Sequence, residues 1–310
     1  MKYKVVIPTA GLEARLKTLS KHVKKALVSI GNKPAISYVI EKFPVDIELV
    51  IPIGYKKETV MGFLQMVYPD RKFTFVNVDR YEGEGSGLGY SLLCAKDVLQ
   101  CPFIFCYNDT LVTESIPEPE EIWMGHYCQV EDTSPYRSII KEGGLVKEIC
   151  SKGASGDVSP YIGLAGIKDY QAFWQAMEEG KNEGSIEIGE SYGLKFLISQ
   201  GIGEREFDWY DSGNLEALNR AREHFNCAAE SYNILEKEDE AIWFVNNKVI
   251  KYSVNKKFIA DRVERTKYLG NYVPQITAQT ENMYSYNLIE SEVFSKMPSV
   301  FTFRFFLECM

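Results

Sequence analysis

A glycine turn near the start of the chain is followed by two basic residues whose types suit phosphate chemistry. The apolar residues 5–8 lead into Gly11, and Arg15 and Lys25 come next along the chain. A short buried strand that opens into a glycine turn exposes backbone N–H groups to an anion, and cationic side chains nearby can neutralise its charge. The pattern predicts a cradle for a triphosphate, and therefore an enzyme that handles a nucleotide.

Apolar runs that alternate with helix-length segments would position this cradle. Strands are predicted at residues 5–8, 47–53, 73–78 and 103–107, and helices at 35–43, 57–67 and 88–99. This alternation is typical of a doubly wound, Rossmann-like α/β domain with a mostly parallel sheet, whose ligands bind at the carboxyl ends of the strands. Asp109 follows the last of these strands, so it is predicted to lie at that edge of the sheet.

The rest of the chain is predicted to fall into two parts. Residues 138–149 and 161–167 read as a strand meander, and helices are predicted at 170–179, 190–200 and 215–224. The charged run 236–240 then interrupts the pattern, and a new alternation begins after it. We therefore predict a first domain over residues 1–230 and a second, smaller α+β domain over residues 231–310.

Composition excludes several classes of protein. The 310 residues carry a formal charge of −8, which argues against general nucleic-acid binding because a basic face supplies most of that affinity. The seven cysteines contain no C-x-x-C pair, so neither a zinc site nor a disulfide framework is indicated. No apolar run approaches the ~18 residues of a membrane span. A cytoplasmic enzyme with neither nucleic-acid nor membrane partners is predicted.

Several motifs together resemble those of one enzyme family. Residues 7–16, 25–28 and 31–34 are similar to the signature of sugar-phosphate nucleotidyltransferases, and residues 87–96 resemble a loop and helix of UTP:glucose-1-phosphate uridylyltransferases. The resemblance covers about residues 1–225. It implies Mg²⁺-dependent transfer of a nucleoside monophosphate from an NTP to a sugar 1-phosphate, which yields a nucleotide sugar and pyrophosphate, in bacterial cell-surface polysaccharide synthesis.

The resemblance also implies catalytic and metal-binding roles. Arg15 would clamp the leaving phosphates, and Lys25 would stabilise charge at the α-phosphate. Lys24 stands where the family commonly has proline, so either of the two adjacent lysines could point inward. Asp109 and Asp211 would hold Mg²⁺, which prefers oxygen ligands and commonly takes one or two carboxylates together with substrate phosphates.

Substrate-binding positions follow from the same resemblance. Glu187, in a segment like the family's G-E-[IL]-x-[IL]-T-D, would accept hydrogen bonds from sugar hydroxyls, and Gly166 would let the backbone approach the sugar. Glu82 falls near the position from which the family reads the nucleobase, often with glutamine, so it does not support uridine recognition. The implied nucleotide-binding residues are Ala10, Gly11, Leu12, Glu82 and Gly87.

Two departures from the family pattern leave other functions open. Glu13 replaces a glycine of the phosphate turn and Ala14 replaces a threonine or serine, so a carboxylate stands close to the predicted triphosphate. Repulsion there would cost several kcal/mol at an effective dielectric near ~20. A catalytically inactive nucleotide-binding regulator is therefore an alternative to an active enzyme.

The segment after residue 231 resembles part of another enzyme. A predicted hairpin that turns at 246–247, a helix and the stretch 284–293 resemble the small lobe and hinge of aminoglycoside- and choline-kinase-type phosphotransferases. Lys251 stands in the place of the phosphate-binding lysine, and Glu264 in that of its helix partner. No catalytic half follows, so we expect no kinase activity from a truncated lobe of this kind. A small accessory domain is the alternative reading.

The kinase-like segment has two further consequences. A choline-kinase-like neighbour makes a cytidylyltransferase for a phosphorylated non-sugar alcohol, such as phosphocholine, the second candidate activity. Aromatic and aliphatic residues crowd residues 301–307 with little left in the sequence to cover them. That segment is expected to dock on the first domain or to pair with another copy of the chain.

Overall fold

The structure is a computed structural model that describes residues 2–12, 23–130, 132–226, 237–290 and 299–309. Over these residues the central sheet has nine strands: β1 (Lys4–Val6), β4 (Glu48–Ile53), β5 (Phe73–Asn77), β6 (Phe103–Cys106), β8 (Trp123–His126), β9 (Ser138–Glu142), β10 (Leu145–Cys150), β11 (Ser159–Ile167) and β12 (Ile202–Glu206). Their order in the sheet is β5-β4-β1-β6-β11-β8-β12-β10-β9. The short strands β2 (Ser29–Ile30) and β3 (Lys33–Pro34) pair separately.

The first four predicted strands are confirmed, and they form the parallel half of the sheet. β5, β4, β1 and β6 pair in parallel, and β4 is buried along nearly its whole length, as expected of a strand covered on both faces. The other half is mixed, because β11 runs antiparallel to both β6 and β8. The chain enters β11 after the antiparallel hairpin of β9 and β10. The short connections here suit antiparallel pairing, because a parallel pair of strands needs a long crossover connection.

Helices cover both faces of this sheet. They are α1 (Ala35–Ile40), α2 (Lys57–Val67), α3 (Leu88–Ala95), α4 (Tyr170–Glu179), α5 (Ser185–Ile188), α6 (Glu190–Phe196) and α7 (Leu215–Asn226). α2 has the predicted bounds, because Val60, Phe63, Leu64 and Val67 fall on one buried face at helical spacing. α3 and α6 end earlier than predicted and are followed by short 3₁₀ turns at Lys96–Val98 and Ile198–Gln200.

A small separate pairing joins two distant parts of the chain. β7 (Thr110–Val112) runs antiparallel to β13 (Trp209–Asp211), with Asp211 opposite Thr110. β7 begins directly after Asp109. This pairing therefore brings together two aspartates that are far apart in the sequence.

The strands beyond residue 237 form an antiparallel sheet with a helix against it. β14 (Glu240–Val245), β15 (Lys248–Ser253), β17 (Met283–Asn287) and β16 (Ile276–Gln279) pair in that order, and α8 (Lys256–Leu269) packs on β15 and β17. The predicted hairpin turn is present: Asn246 and Asn247 have φ of 51° and 56°, as a tight turn of this type requires. α9 (Val300–Cys309) ends the described chain.

This second sheet shares a hydrophobic cluster with the first region. Trp243 packs edge-on against Phe63 of α2 with ring centroids 5.3 Å apart. Lys248 Nζ donates to the Met66 carbonyl at 2.8 Å, and the Phe244 N–H donates to the Asn32 carbonyl at 2.7 Å. The division at residues 230 and 231 stays a prediction, but strands on its far side complete the packing of α2.

Surface features of the second region bear on the predicted docking. Within the described residues, none of the helices is long and apolar enough to cross a bilayer. α9 leaves large apolar side chains exposed, among them Phe301, Phe303, Phe305 and Leu307. The predicted docking of this segment on the first domain is therefore not seen in the structure, and pairing with another copy stays a prediction.

Candidate active site

A cavity of about 380 Å³ opens where the chain leaves β1 and β6, at the carboxyl ends of the parallel strands. It brings together residues that are widely separated in sequence, as the strand alternation predicts. Five of the predicted site residues line it: Ala10, Gly11, Lys25, Asp109 and Asp211. We call the corner formed by Lys25, Asp109 and Asp211 the carboxylate end of the cavity.

Lys25 and Asp109 form an ion pair at this end. Lys25 Nζ donates to Asp109 Oδ2, and both side chains are mostly shielded, at 17% and 15% exposed. Lys25 begins a short 3₁₀ turn whose next two residues, Ala26 and Leu27, are fully buried. The apolar anchors fix the backbone, so the ammonium group is held at the cavity.

Lys24 has a different position from its neighbour. It is almost completely buried, and its Nζ donates to the Gly11 carbonyl and lies 5.4 Å from the centroid of the Tyr55 ring. The structure therefore separates the two adjacent lysines that the sequence left ambiguous. Lys24 supports the glycine turn from behind, and Lys25 lines the cavity.

Asp211 faces Asp109 from the second strand pairing. Its Oδ1 accepts the Gly213 N–H at 2.7 Å, and its Oδ2 accepts the Tyr136 hydroxyl at 3.3 Å. Burial raises the pKa of Asp211, and the nearby Asp109 carboxylate raises it further, while Lys25 opposes both. A side chain at Gly213 would place its Cβ 2.9 Å from Asp211 Oδ1 and 3.4 Å from Asp109 Oδ2. Only glycine leaves room beside the two carboxylates.

The donor set at the carboxylate end fits Mg²⁺. Two carboxylates converge here, and the pKa of Asp211 is raised first by burial and then by Asp109. Together they offer oxygen ligands to a hard cation beside the Lys25 ammonium group, which pairs with Asp109. Among the described residues no group of three or more His, Cys, Asp or Glu side chains could hold a metal. A magnesium ion here would therefore depend on two carboxylates, with substrate phosphates and water as its other ligands.

Among the described residues, the predicted nucleotide-site residues Leu12, Glu82 and Gly87 do not line the cavity. Arg15 lies outside the described residues, as do Glu13 and Ala14. Leu12 is exposed beside the cavity. Gly87 precedes α3, and a Cβ there would overlap the Ile186 carbonyl of α5, so this glycine permits close packing of the two helices. Its neighbours Ser86 and Leu88 do line the cavity.

The predicted sugar and base positions are not brought to the cavity. Glu82 and Glu187 are both exposed, and neither lines it. Gly166 pairs with Ile104 and Trp123 within the sheet, and a Cβ there would overlap the Trp123 indole. Packing inside the sheet thus accounts for this glycine.

A different glycine touches the cavity wall. Gly163, in the same strand as Gly166, has a φ of 71°, and a Cβ there would overlap the ring of Tyr107, which lines the cavity. The positive φ and the close approach both require glycine. Spacing along a strand does not show which of its glycines adopts a positive φ, so the sequence analysis did not single out Gly163.

Sequence reasoning missed a buried carboxylate behind this wall. Glu190, at the start of α6, is fully buried, and its Oε1 accepts the Tyr107 hydroxyl at 3.4 Å. Burial raises its pKa to about 7, while backbone N–H groups and Arg137 oppose that shift. Its Oε2 has no hydrogen-bond partner in the described part of the chain. Tyr107 and Tyr161 line the cavity, and we call this corner, with Glu190, the tyrosine end.

A second space adjoins the cavity. This cleft of about 470 Å³ lies between the residues around 127–136 and the start of α7. Pro135, Tyr136, Trp209 and Asp211 line both spaces, so the two are adjacent. The cleft has aromatic walls formed by Tyr127, Tyr136, Trp209 and Tyr210, and we call it the aromatic cleft.

Comparisons with known proteins return relatives for part of the chain only. No family model matches it. It is 27% identical to the bifunctional protein GlmU of Methanocaldococcus jannaschii over 114 residues, which are 36% of this chain and 26% of that protein. It is 26% identical to the UTP–glucose-1-phosphate uridylyltransferase of Escherichia coli over 141 residues, or 37% of this chain and 46% of that enzyme. The chain thus spans less than half the length of these curated relatives.

Solved structures match over a longer stretch. UDP-glucose pyrophosphorylase from Acinetobacter baumannii aligns with a TM-score of 0.61 and 17% identity, covering 74% of this chain and 95% of that one. CTP:phosphocholine cytidylyltransferase (LicC) from Streptococcus pneumoniae aligns with a TM-score of 0.57 and 17% identity, covering 73% of this chain and all of that one. The chain therefore has the α/β fold with a mixed sheet that these nucleotidyltransferases share.

Proposed function

We propose that the protein transfers a nucleoside monophosphate from an NTP to a sugar 1-phosphate, giving a nucleotide sugar and pyrophosphate. One observation carries this proposal: Lys25, Asp109 and Asp211 converge beside the glycine turn at Gly11, in a cavity at the carboxyl ends of parallel strands. The relatives and structural neighbours that act on nucleotides and sugar phosphates support it.

The proposed reaction needs no nucleophile from the protein. An oxygen of the acceptor phosphate attacks the α-phosphorus, the bond from that phosphorus to the bridging oxygen breaks, and pyrophosphate leaves. The protein then contributes positioning and charge stabilisation. Lys25 would offset negative charge at the α-phosphate, while the turn at Ala10 and Gly11, supported by Lys24, would present backbone groups to the triphosphate. Arg15 is proposed as the clamp on the leaving phosphates.

Asp109 and Asp211 are proposed to hold Mg²⁺. When bound, the ion would offset negative charge on the substrate phosphates. Asp211 would present its carboxylate to the ion in a fixed orientation, because it accepts hydrogen bonds from the Gly213 N–H and the Tyr136 hydroxyl.

Release of pyrophosphate tests the proposal directly. The chain would be incubated with each of four NTPs, Mg²⁺ and a panel of sugar 1-phosphates, with phosphate-free sugars as blanks. Acceptor-dependent release with at least one pair is expected. If NTP binds without release for any acceptor, the protein is instead a nucleotide-binding regulator, the alternative that Glu13 in the phosphate turn leaves open.

A second candidate is transfer of a nucleotide to a phosphorylated alcohol such as phosphocholine. The aromatic cleft beside the cavity favours it, because sugar hydroxyls do not require a space walled by Tyr127, Tyr136 and Trp209. A solved structure with the same fold is named as a CTP:phosphocholine cytidylyltransferase. Adding phosphocholine to the acceptor panel separates the two candidates.

The sheet after residue 237 is proposed as a phosphotransferase-like lobe without kinase activity. Its order of two strands, a helix and two strands agrees with that reading. Its expected ion pair is not formed, since Glu264 pairs with Lys267 at 2.7 Å. Lys251 instead lies near Arg262, and burial together with that charge lowers its pKa. Assay for phosphate transfer from ATP to choline and aminoglycosides is expected to give none.

A further inference from the structure

The aromatic rings of the aromatic cleft stand at steep angles around one space. Tyr127 meets Trp209 with centroids 6.2 Å apart and an interplanar angle of 72°, and Tyr136 meets it at 5.1 Å and 78°. All three rings line the cleft. Ring faces attract cations within about 6 Å of their centroids. A compact cation placed in this corner would meet more than one ring.

The charges of the residues that line the cleft also favour a cation. The lining residues include the carboxylates of Asp132, Asp211 and Glu216, against the guanidinium of Arg220. If Asp211 binds the metal ion, the lining still has two other carboxylates, Asp132 and Glu216, against one cation, Arg220. Arg220 stands one helical turn after Glu216 on α7, a spacing at which opposite charges attract. Asp132, whose Oδ1 accepts the Ser134 N–H at 2.9 Å, is then the remaining carboxylate of the lining.

The cleft is in reach of the reacting phosphate. Asp211 and Tyr136 line both the cleft and the cavity, and Tyr136 donates its hydroxyl to Asp211. An acceptor whose phosphate lies at the carboxylate end would therefore extend toward Tyr136 and the cleft that adjoins it. Trp209 Nε1 is buried there without a hydrogen-bond partner in the described residues, so the indole is held by packing alone and can present its ring.

We propose that the aromatic cleft binds a positively charged nitrogen of the acceptor, so that the acceptor is a phosphorylated amine. This inference rests on the proposed nucleotidyl transfer and names the class of its second substrate. The shared chemistry is a phosphate at one end and an ammonium group at the other. A quaternary ammonium alcohol phosphate and an amino-sugar phosphate both carry it.

The first experiment compares acceptors that differ in charge. Pyrophosphate release would be measured with phosphocholine, phosphoethanolamine and glucosamine 1-phosphate, against neutral glucose 1-phosphate. We expect kcat/KM for at least one cationic acceptor to exceed that for glucose 1-phosphate by ~10-fold or more, the ratio that one or two cation–ring contacts can give. Comparison of phosphocholine and phosphoethanolamine with glucosamine 1-phosphate shows whether the ammonium group belongs to an amino alcohol or to an amino sugar.

A second experiment needs no catalysis. Tetramethylammonium chloride would be titrated into the full chain by calorimetry, and into a double variant with Asp132→Asn and Glu216→Gln. Both side chains are exposed, so the variant is expected to fold. Asp157→Asn, an exposed carboxylate that lines neither space, is the matched control. Binding should weaken by ~10-fold in the double variant and stay unchanged in the control.

The outcomes separate this inference from the proposed function. Pyrophosphate release with glucose 1-phosphate alone, without binding of tetramethylammonium, would overturn the inference and leave nucleotidyl transfer in place. Binding of tetramethylammonium that the double variant loses, without release for any acceptor, would support the cation site and overturn the transfer. Equal binding in all three proteins would show that the cleft does not select charge and would overturn the inference.

Discussion

The carboxylate end and the tyrosine end of the same cavity are built on opposite principles. At the carboxylate end the charges have partners: Lys25 pairs with Asp109, and Asp211 accepts the Gly213 N–H and the Tyr136 hydroxyl. At the tyrosine end the fully buried Glu190 keeps one carboxylate oxygen without a partner in the described residues. Buried polar groups are normally hydrogen-bonded, so an exception calls for an explanation.

The difference separates residues expected to affect catalysis from residues expected to affect stability. The carboxylate end is an ordered set of charges, where the proposed phosphate and cation would bind. The tyrosine end holds a carboxyl group whose protonation depends on its surroundings, since burial raises its pKa to about 7. Changes at the first end should therefore affect turnover, and changes at the second should affect the pH dependence of stability.

The largest expected effect is at the carboxylate end. Asp109→Asn and Asp211→Asn should each lower kcat by at least ~100-fold, because stabilisation of charge at the phosphoryl group is the main catalytic contribution. Steady-state pyrophosphate release measures it, and circular dichroism checks that each variant folds. Asp157→Asn serves as the exposed control. Near wild-type turnover in either variant would show that the substituted aspartate does not hold a metal ion needed for catalysis.

At the tyrosine end, Glu190→Gln should change how stability depends on pH. The pKa of Glu190 is raised in the folded state from its ordinary value of 4.5 to about 7, so the folded protein holds the proton more tightly. Stability is therefore lost as pH rises from about 4.5 through 7, by up to ~3 kcal/mol. The amide cannot ionise and should remove that loss.

Urea unfolding at pH 5, 6, 7 and 8 would measure the effect. The free energy of unfolding of Glu190→Gln relative to the wild type should increase across this range. Glu187→Gln, an exposed change three residues earlier, should follow the wild-type curve. Parallel curves for the wild type and Glu190→Gln would mean that Glu190 is ionised throughout, and that the two ends do not differ in the way described.

Lys25 and Lys24 offer a sharper comparison within the carboxylate end. Lys25→Ala should lower kcat by ~30-fold or more, because its ammonium group lines the cavity and would neutralise phosphate charge. Lys24→Met keeps the buried stem but loses the bond to the Gly11 carbonyl, so it should mainly lower the melting temperature. Thermal unfolding and kinetics on both variants measure this, and the reverse order would exchange the two roles.

The sequence predicted the carboxylate end better than the tyrosine end, for a physical reason. Residues 10–11, Lys25 and Asp109 lie at strand ends and turns, and a parallel sheet gathers such positions at one edge. Asp211 reaches that edge through the pairing of β7 with β13, which the sequence analysis did not predict. Only the family resemblance implied that Asp211 acts with Asp109. Gly166 is predicted from its motif to let the backbone approach the sugar, but the structure packs it against Trp123 inside the sheet, and Gly163 has the positive φ at the cavity wall.

The burial of charged residues is the feature that the sequence pattern predicts least well. Glu190 is fully buried although glutamate is rarely so, and its burial depends on Tyr107 and Tyr161 from strand regions far away in sequence. The shared core of Trp243 with Phe63 likewise joins segments that composition had divided at residue 230. Long-range packing of this kind leaves no local signal.

The smallest expected effect concerns Glu187, which lies three residues before the buried Glu190. Glu187 is predicted from its motif to bind sugar hydroxyls, yet it is exposed and does not line the cavity, whereas Glu190 lies behind the cavity wall. Glu187→Ala should therefore change the KM for the acceptor by less than ~2-fold, as for most surface substitutions. Initial rates over a range of acceptor concentrations measure it. A rise of ~10-fold with kcat unchanged would return the sugar-binding role to Glu187 and would require α5 to turn toward the cavity when the acceptor binds.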